Sequence, residues 1–224
     1  MSHLGSQILY SVLNSRTDIA CERVYAPWLD MESLIREKGW TLFSVENRLP
    51  LCTFDIVGFS LQYELTYTNV LMMLDLGGIP LRSHDRGIGD PLVIAGGPCA
   101  MAAEPIADFI DAFALGDGEE LALDISYAYK EWKHSKGSRK DLLTSISSIN
   151  GVYVPSLYNI SYNDDGTIAS VDSSLVPKTV KRRVLKSLED AHIPEKPLIP
   201  LMEPIHDRVM VEIFRGCTQA CRFC

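Results

Sequence analysis

The chain has 224 residues, 46% of them hydrophobic and 22% charged, a balance that excludes wholesale disorder, and the length suits one large domain or one compact domain with part of another. Lys and Arg number 21 against 29 Asp and Glu, so the formal net charge of −8 argues against non-specific binding of nucleic acid by the whole surface. The apolar stretch Pro91–Ala103 is broken by Gly96-Gly97-Pro98 and is shorter than the ~20 apolar residues of a spanning helix. No basic-then-apolar leader follows Met1, and the expectation is a cytoplasmic protein with no membrane partner.

Along the chain, Leu9, Val12 and Leu13 have helical spacing, and Arg23–Ala26 reads as a short strand. Asp30 is placed to cap a helix running through Lys38, with Gly39 ending it. Thr41–Val45 is strand-like, and Phe54–Ser60 (FDIVGFS) has the apolar run of a buried parallel strand. Tyr67, Val70, Leu71 and Leu74 share one helical face, and Gly77-Gly78 stops that helix. Leu92–Ala95 is a strand ending at Gly96-Gly97-Pro98. Ala112–Leu115 is another, followed by Gly116-Asp117-Gly118-Glu119-Glu120 and a helix carrying Leu121, Ile125, Ala128 and Trp132 at spacings of four, three and four.

This alternation predicts an α/β fold, a doubly wound parallel sheet over residues 1–135. Ligands of such sheets sit beyond the carboxyl ends of the strands, where the turns after Ser60, Ala95 and Leu115 would gather. Those turns also have a purely local reading. Glycine suits tight strand-to-helix connections, and acids suit a helix N-terminus.

Residues 136–205 change character and read as a connector. The polar, basic segment His134–Lys140 marks the domain end, and Asp141–Ile149 fits a short helix. Tyr158–Tyr162 and Thr167–Val171 flank Asn163-Asp164-Asp165-Gly166, a hairpin turn signal. Lys178, Lys181, Arg182, Arg183 and Lys186 form a basic run, read as a solvated face, with contact to an RNA substrate or an acidic partner as the alternative. Pro194, Pro197, Pro200 and Pro204 extend the connector, and Val209–Ile213 reads as a strand leading into Phe214-Arg215-Gly216-Cys217.

Six cysteines fall into two groups. Cys21, Cys52 and Cys99 lie among apolar segments and are expected to be small buried hydrophobes. Cys217, Cys221 and Cys224 are spaced C-x3-C-x2-C, close enough on one loop for their thiolates to converge on an iron–sulfur cube. Three ligands for four irons leave one iron open to a substrate, as catalytic metal sites require. A zinc site usually shows a second C-x2-C pair, which is missing, and a dithiol redox pair would explain Cys221 and Cys224 without Cys217.

The strand VMVEI, then Arg215-Gly216 and the three cysteines with Phe223 before the last, resembles the signature of radical S-adenosylmethionine (SAM) enzymes. Upstream, ERVYAPWLDMESLIREKGWTLFSVE, FDIVGFSLQYELTYTNVLMMLDLGGIPL and DPLVIAGGPCAMAAEPIADFIDAFALGDGEE resemble uncharacterised radical SAM proteins with an N-terminal cobalamin-binding-like domain. The resemblance implies a flavodoxin-like domain over 1–135, a connector over 136–205 and, from 206 to 224, the first strand of a radical SAM α/β barrel, truncated after the cluster motif. It further implies that Cys217, Cys221 and Cys224 hold a 4Fe-4S cluster, that SAM chelates the fourth iron, and that Arg222 and Phe223 shape the loop. An electron from a donor protein would then cleave SAM to a 5′-deoxyadenosyl radical, which abstracts hydrogen from substrate. Ser60, Gly96 and Gly97 fall where such domains line the pocket for the cobalamin tail. The D-x-H-x-x-G loop that ligates cobalt is absent, since His84 precedes Asp85 and His192 and His206 lie beyond that domain. The opening MSHLGSQILYSVLN resembles an internal helix of the family domain, so its first strand is expected to be unaccounted for. Without the rest of a barrel, the alternative is a ligand- or partner-binding module with no activity of its own.

Overall fold

The computed structural model describes residues 3–173, 176–194, 198, 210–219, 221 and 222. Among the described residues the α-helices and β-strands follow in chain order as α1 (Leu4–Asn14), α2 (Leu29–Lys38), β1 (Ile56–Ser60), α3 (Tyr67–Leu76), β2 (Leu92–Gly96), β3 (Ala112–Ala114), α4 (Gly118–Ser135), α5 (Arg139–Ser147), β4 (Val152–Tyr153), β5 (Asn159–Tyr162) and β6 (Ile168–Asp172). Strands β1 to β4 form one sheet in that order. The first three are parallel, with Ile56 opposite Leu92 and Ile94 opposite Ala112, and β4 returns antiparallel to β3.

Alternation along the strands divides the core in two. Val93, Ala95 and Phe113 point to one face, where Val70 and Leu74 of α3 and Ile35 of α2 cover them. Leu92 and Ala112 point to the other, against Leu121, Ile125 and Trp132 of α4 and Leu142 and Ile146 of α5. Helices on both faces of a mostly parallel sheet agree with the expected α/β class. The packed unit runs past residue 135, however, because α5 packs on α4 and β4 pairs with β3. A capping box starts α5: the Ser138 hydroxyl accepts from Asp141 N, and the Asp141 carboxylate accepts from Ser138 N.

Several expected elements come out differently. The strand expected over Phe54–Ser60 is shorter and lies at the end of the sheet order, with Val57 its one buried residue. Arg23–Ala26 is not a strand. The Glu46 carboxylate binds both the backbone N–H and Nε of Arg23 (2.7 and 2.6 Å), and Arg23 O accepts from Val45 N, so a side chain takes the backbone donor and a single backbone bond the acceptor in place of a ladder. Thr41–Val45 contributes only an isolated bridge, Phe43 to Pro50. Helix α2 is capped at Trp28 rather than Asp30, whose carboxylate bonds Met31 N inside the first turn, while Gly39 ends it in the left-handed conformation (φ 62°).

The hairpin β5–β6 forms as expected around Asn163–Gly166. Of the strand expected over Val209–Ile213, Val209 lies outside the described residues and 210–213 join no described sheet. Pro197, Pro200, Pro204 and His206 also lie outside them. Cys21, Cys52 and Cys99 are half-buried, Cys52 and Cys99 against the first core cluster. No described helix is long and apolar enough to cross a membrane.

Candidate functional site

The carboxyl ends of β1, β2 and β3 carry the turns singled out in the sequence. At the first two, the chain fills its own crevice. Leu61 N donates to Gly96 O (2.7 Å) and Leu61 O accepts from Cys99 N (3.1 Å). The Ser60 hydroxyl accepts from Gln62 Nε2 at 2.8 Å. Gly97 is held at φ 100°, and a Cβ there would fall 2.8 Å from Leu61 O and 3.1 Å from Gln62 Nε2. Close approach of Leu61 and Gln62 therefore accounts for Gly97. His84 is exposed on the turn that leads into the amino end of β2, the opposite end of the sheet, and His192 Nε2 is bonded to Ser11 Oγ at 2.7 Å. These residues do not fit a cobalamin tail or supply a cobalt ligand beside it.

The end of β3 is where the chain converges. Gly116 has φ 105°, and a Cβ there would lie 2.0 Å from Arg183 O, so only glycine admits the strand-like segment around Arg183. Arg183 N donates to Leu115 O (2.8 Å) and Arg183 O accepts from Asp117 N (2.9 Å). The Arg183 guanidinium pairs with Glu120 (3.1 Å) and Asp124 (2.5 Å) on α4. This residue is thereby taken out of the basic run, whereas Lys178, Lys181, Arg182 and Lys186 stay exposed.

Arg215, two positions before Cys217, reaches the same turn. It grips Glu119 through two nitrogens (2.7 and 3.3 Å), meets Asp117 Oδ1 at 3.1 Å and pairs with Glu212 at 2.7 and 2.8 Å. Hydrogen bonds to Glu212, followed by those to Glu119, hold the guanidinium firmly charged, and Arg215 in turn lowers the Glu212 carboxyl below its ordinary range. Three carboxylates thus surround one cation.

Beyond Arg215, Gly216 adopts φ 89° and turns the chain into the cysteine loop. Cys217 and Cys221 are exposed and unpaired, and Gln219 N donates to Cys217 Sγ at 3.4 Å. Phe214, Arg215, Gly216, Cys217, Thr218 and Gln219 border an open concavity of about 590 Å³. Cys224 and Phe223 lie outside the described residues. Exposed thiols with a backbone amide directed at sulfur fit a thiolate-bound iron–sulfur cluster in donor chemistry. Among the described residues no three His, Cys, Asp or Glu side chains gather as a metal site.

Sequence reasoning placed Asp117, Glu119 and Glu120 only as acids at a helix start. Their role as partners of Arg183 and Arg215 left no local signal, because the partners are 63 and 96 positions away. It also missed Asp111, buried just before β3, whose Oδ2 accepts from Val93 N (2.7 Å) and Arg139 (2.8 Å). A charge next to the apolar run AFAL was the available clue.

An α/β domain with a cysteine loop tied to its carboxyl edge is the arrangement these contacts define. The family described as radical SAM proteins, N-terminal, matches residues 5–155, and the chain belongs to it. That match takes in the four-stranded sheet and stops before Cys217. An uncharacterized protein of Methanocaldococcus jannaschii is 24% identical over 202 residues, covering 86% of this chain and 34% of that protein. The chain therefore spans about a third of that relative's length. No solved structure matches.

Proposed function

We propose that this chain is part of a radical SAM enzyme in which Cys217, Cys221 and Cys224 hold a 4Fe-4S cluster. The observation that carries this reading is the exposed, unpaired state of Cys217 and Cys221 on a loop tethered to a domain of the radical SAM family. When bound, such a cluster would supply the electron, received from a donor protein, for reductive cleavage of SAM. The chain's own residues perform simpler tasks. Gly216 turns the loop outward, the thiolates offer soft ligands, and the Gln219 amide stabilises charge on the Cys217 sulfur. Val211, Ile213 and Phe214 are exposed apolar residues just before the loop, suited to packing within a barrel.

The test is anaerobic reconstitution of the full-length protein with iron and sulfide, then reduction with dithionite in the presence of SAM. Release of 5′-deoxyadenosine above a no-protein control supports the reading. A protein that binds iron but never cleaves SAM contradicts it.

A further inference from the structure

We infer that the carboxyl edge of the sheet is a docking surface for the chain's own cysteine-bearing segment, and that Asp117 and Glu119 position the cysteine loop through Arg215. The inference deepens the proposed function and rests on it only for what the loop carries.

In doubly wound sheets this edge is where a ligand is received. Here protein fills it from two directions. The connector lies over Gly116, at a spot where any side chain would collide with Arg183 O at 2.0 Å. The segment before the cysteines arrives beside it through Arg215. One carboxylate joins the two arrivals, because Asp117 Oδ2 accepts from Leu185 N at 2.7 Å while Oδ1 faces Arg215 at 3.1 Å.

Glu119 explains why the contact is specific. Its side chain is only 10% exposed, and a carboxylate so placed needs a cation to offset lost hydration. Arg215 supplies one through a two-nitrogen fork, which fixes direction as well as distance in a way a lysine ammonium cannot. With Gly216 and Cys217 next in the chain, the orientation of that fork sets where the loop leaves the sheet domain.

The experiment is hydrogen–deuterium exchange on the full-length protein, comparing wild type with Glu119→Gln, Arg215→Gln, the double variant and Arg215→Lys. The inference expects each single Gln variant to speed exchange across residues 210–219 by about tenfold, as loss of a charge-assisted bond implies. The double variant should exchange no faster than Arg215→Gln alone, because loss of Arg215 already removes the Glu119 contact. Arg215→Lys should recover part of the protection, and β2 should be unaffected. In the reconstituted protein, Glu119→Gln should keep the wild-type iron content while altering the electron paramagnetic resonance line shape of the reduced cluster. Unchanged exchange at 210–219 in both single variants, or additive effects in the double, would overturn the docking. An unaltered line shape in a variant that has lost protection would overturn the positioning role. A wild-type protein that takes up no iron would count against the proposed function instead, and the exchange comparison would still decide the docking.

Discussion

Arg86 and Asp111 form an ion pair at the amino ends of β2 and β3, with Nη1 3.1 Å from Oδ2 and both side chains fully buried. The rest of the Arg86 guanidinium is satisfied by the carbonyls of Pro80, Leu81 and Phe109, and Arg139 adds a second cation to Asp111. Burial lowers the Arg86 pKa from its usual range, and Asp111 opposes that shift. Removing the carboxylate leaves a buried cation without its counter-charge. Asp111→Ala is therefore predicted to destabilise the fold by about 3–5 kcal/mol, read as a lowered urea midpoint with unchanged slope. A loss below about 1 kcal/mol would show that the surrounding carbonyls suffice alone.

Stability should fall at alkaline pH for a traceable reason. Burial, then the Asp55 carboxylate, pushes the Tyr129 hydroxyl up to about 12, and that hydroxyl donates to Asp55 Oδ1 at 3.3 Å. A folded-state pKa above the unfolded value gives stability that is complete below the unfolded pKa of ~10 and lost as pH rises through the folded value. Thermal melts from pH 9 to 12 should show this decline, and Tyr129→Phe should flatten it (about 10 to 12 being the window of this group). An identical decline in the variant would assign the effect to other groups.

Gly116→Ala should displace the connector. The added methyl meets Arg183 O at 2.0 Å, and φ 105° is strained for any L side chain. A cost of about 1–3 kcal/mol is expected, with faster protease cleavage around residues 178–186 and little change in the core strands. Wild-type cleavage there would mean that the Arg183 bridge contributes nothing to order.

Thiol chemistry should separate the two cysteine groups. In iron-free protein, Cys217 and Cys221 are exposed, whereas burial pushes the Cys21 thiol up to about 11. Brief iodoacetamide treatment near pH 8 followed by peptide mapping should label Cys217 and Cys221 well before Cys21. Equal labelling would contradict the burial of Cys21.

Much of the sheet was legible because its signals are local. The runs around Leu92–Ala95 and Ala112–Leu115 are apolar on both faces, and they became β2 and β3. The helix face of Leu121, Ile125 and Trp132 was equally plain. Strand β4 escaped notice because two residues, Val152 and Tyr153, carry no periodicity. The strand expected at Arg23–Ala26 had the right residue types, but Glu46 offered its backbone another partner. At the site, the cysteine spacing was readable from one short segment. The grip of Glu119 on Arg215 was not, since a pair 96 positions apart is created only by the fold.

Iron content tests the central claim most directly. Full-length protein reconstituted without oxygen should hold about four irons per chain, and a variant with Cys217, Cys221 and Cys224 all changed to Ala should hold none while keeping its fold by circular dichroism. Equal iron in the two proteins, or none in the wild type, would contradict the assignment of these thiols to a cluster.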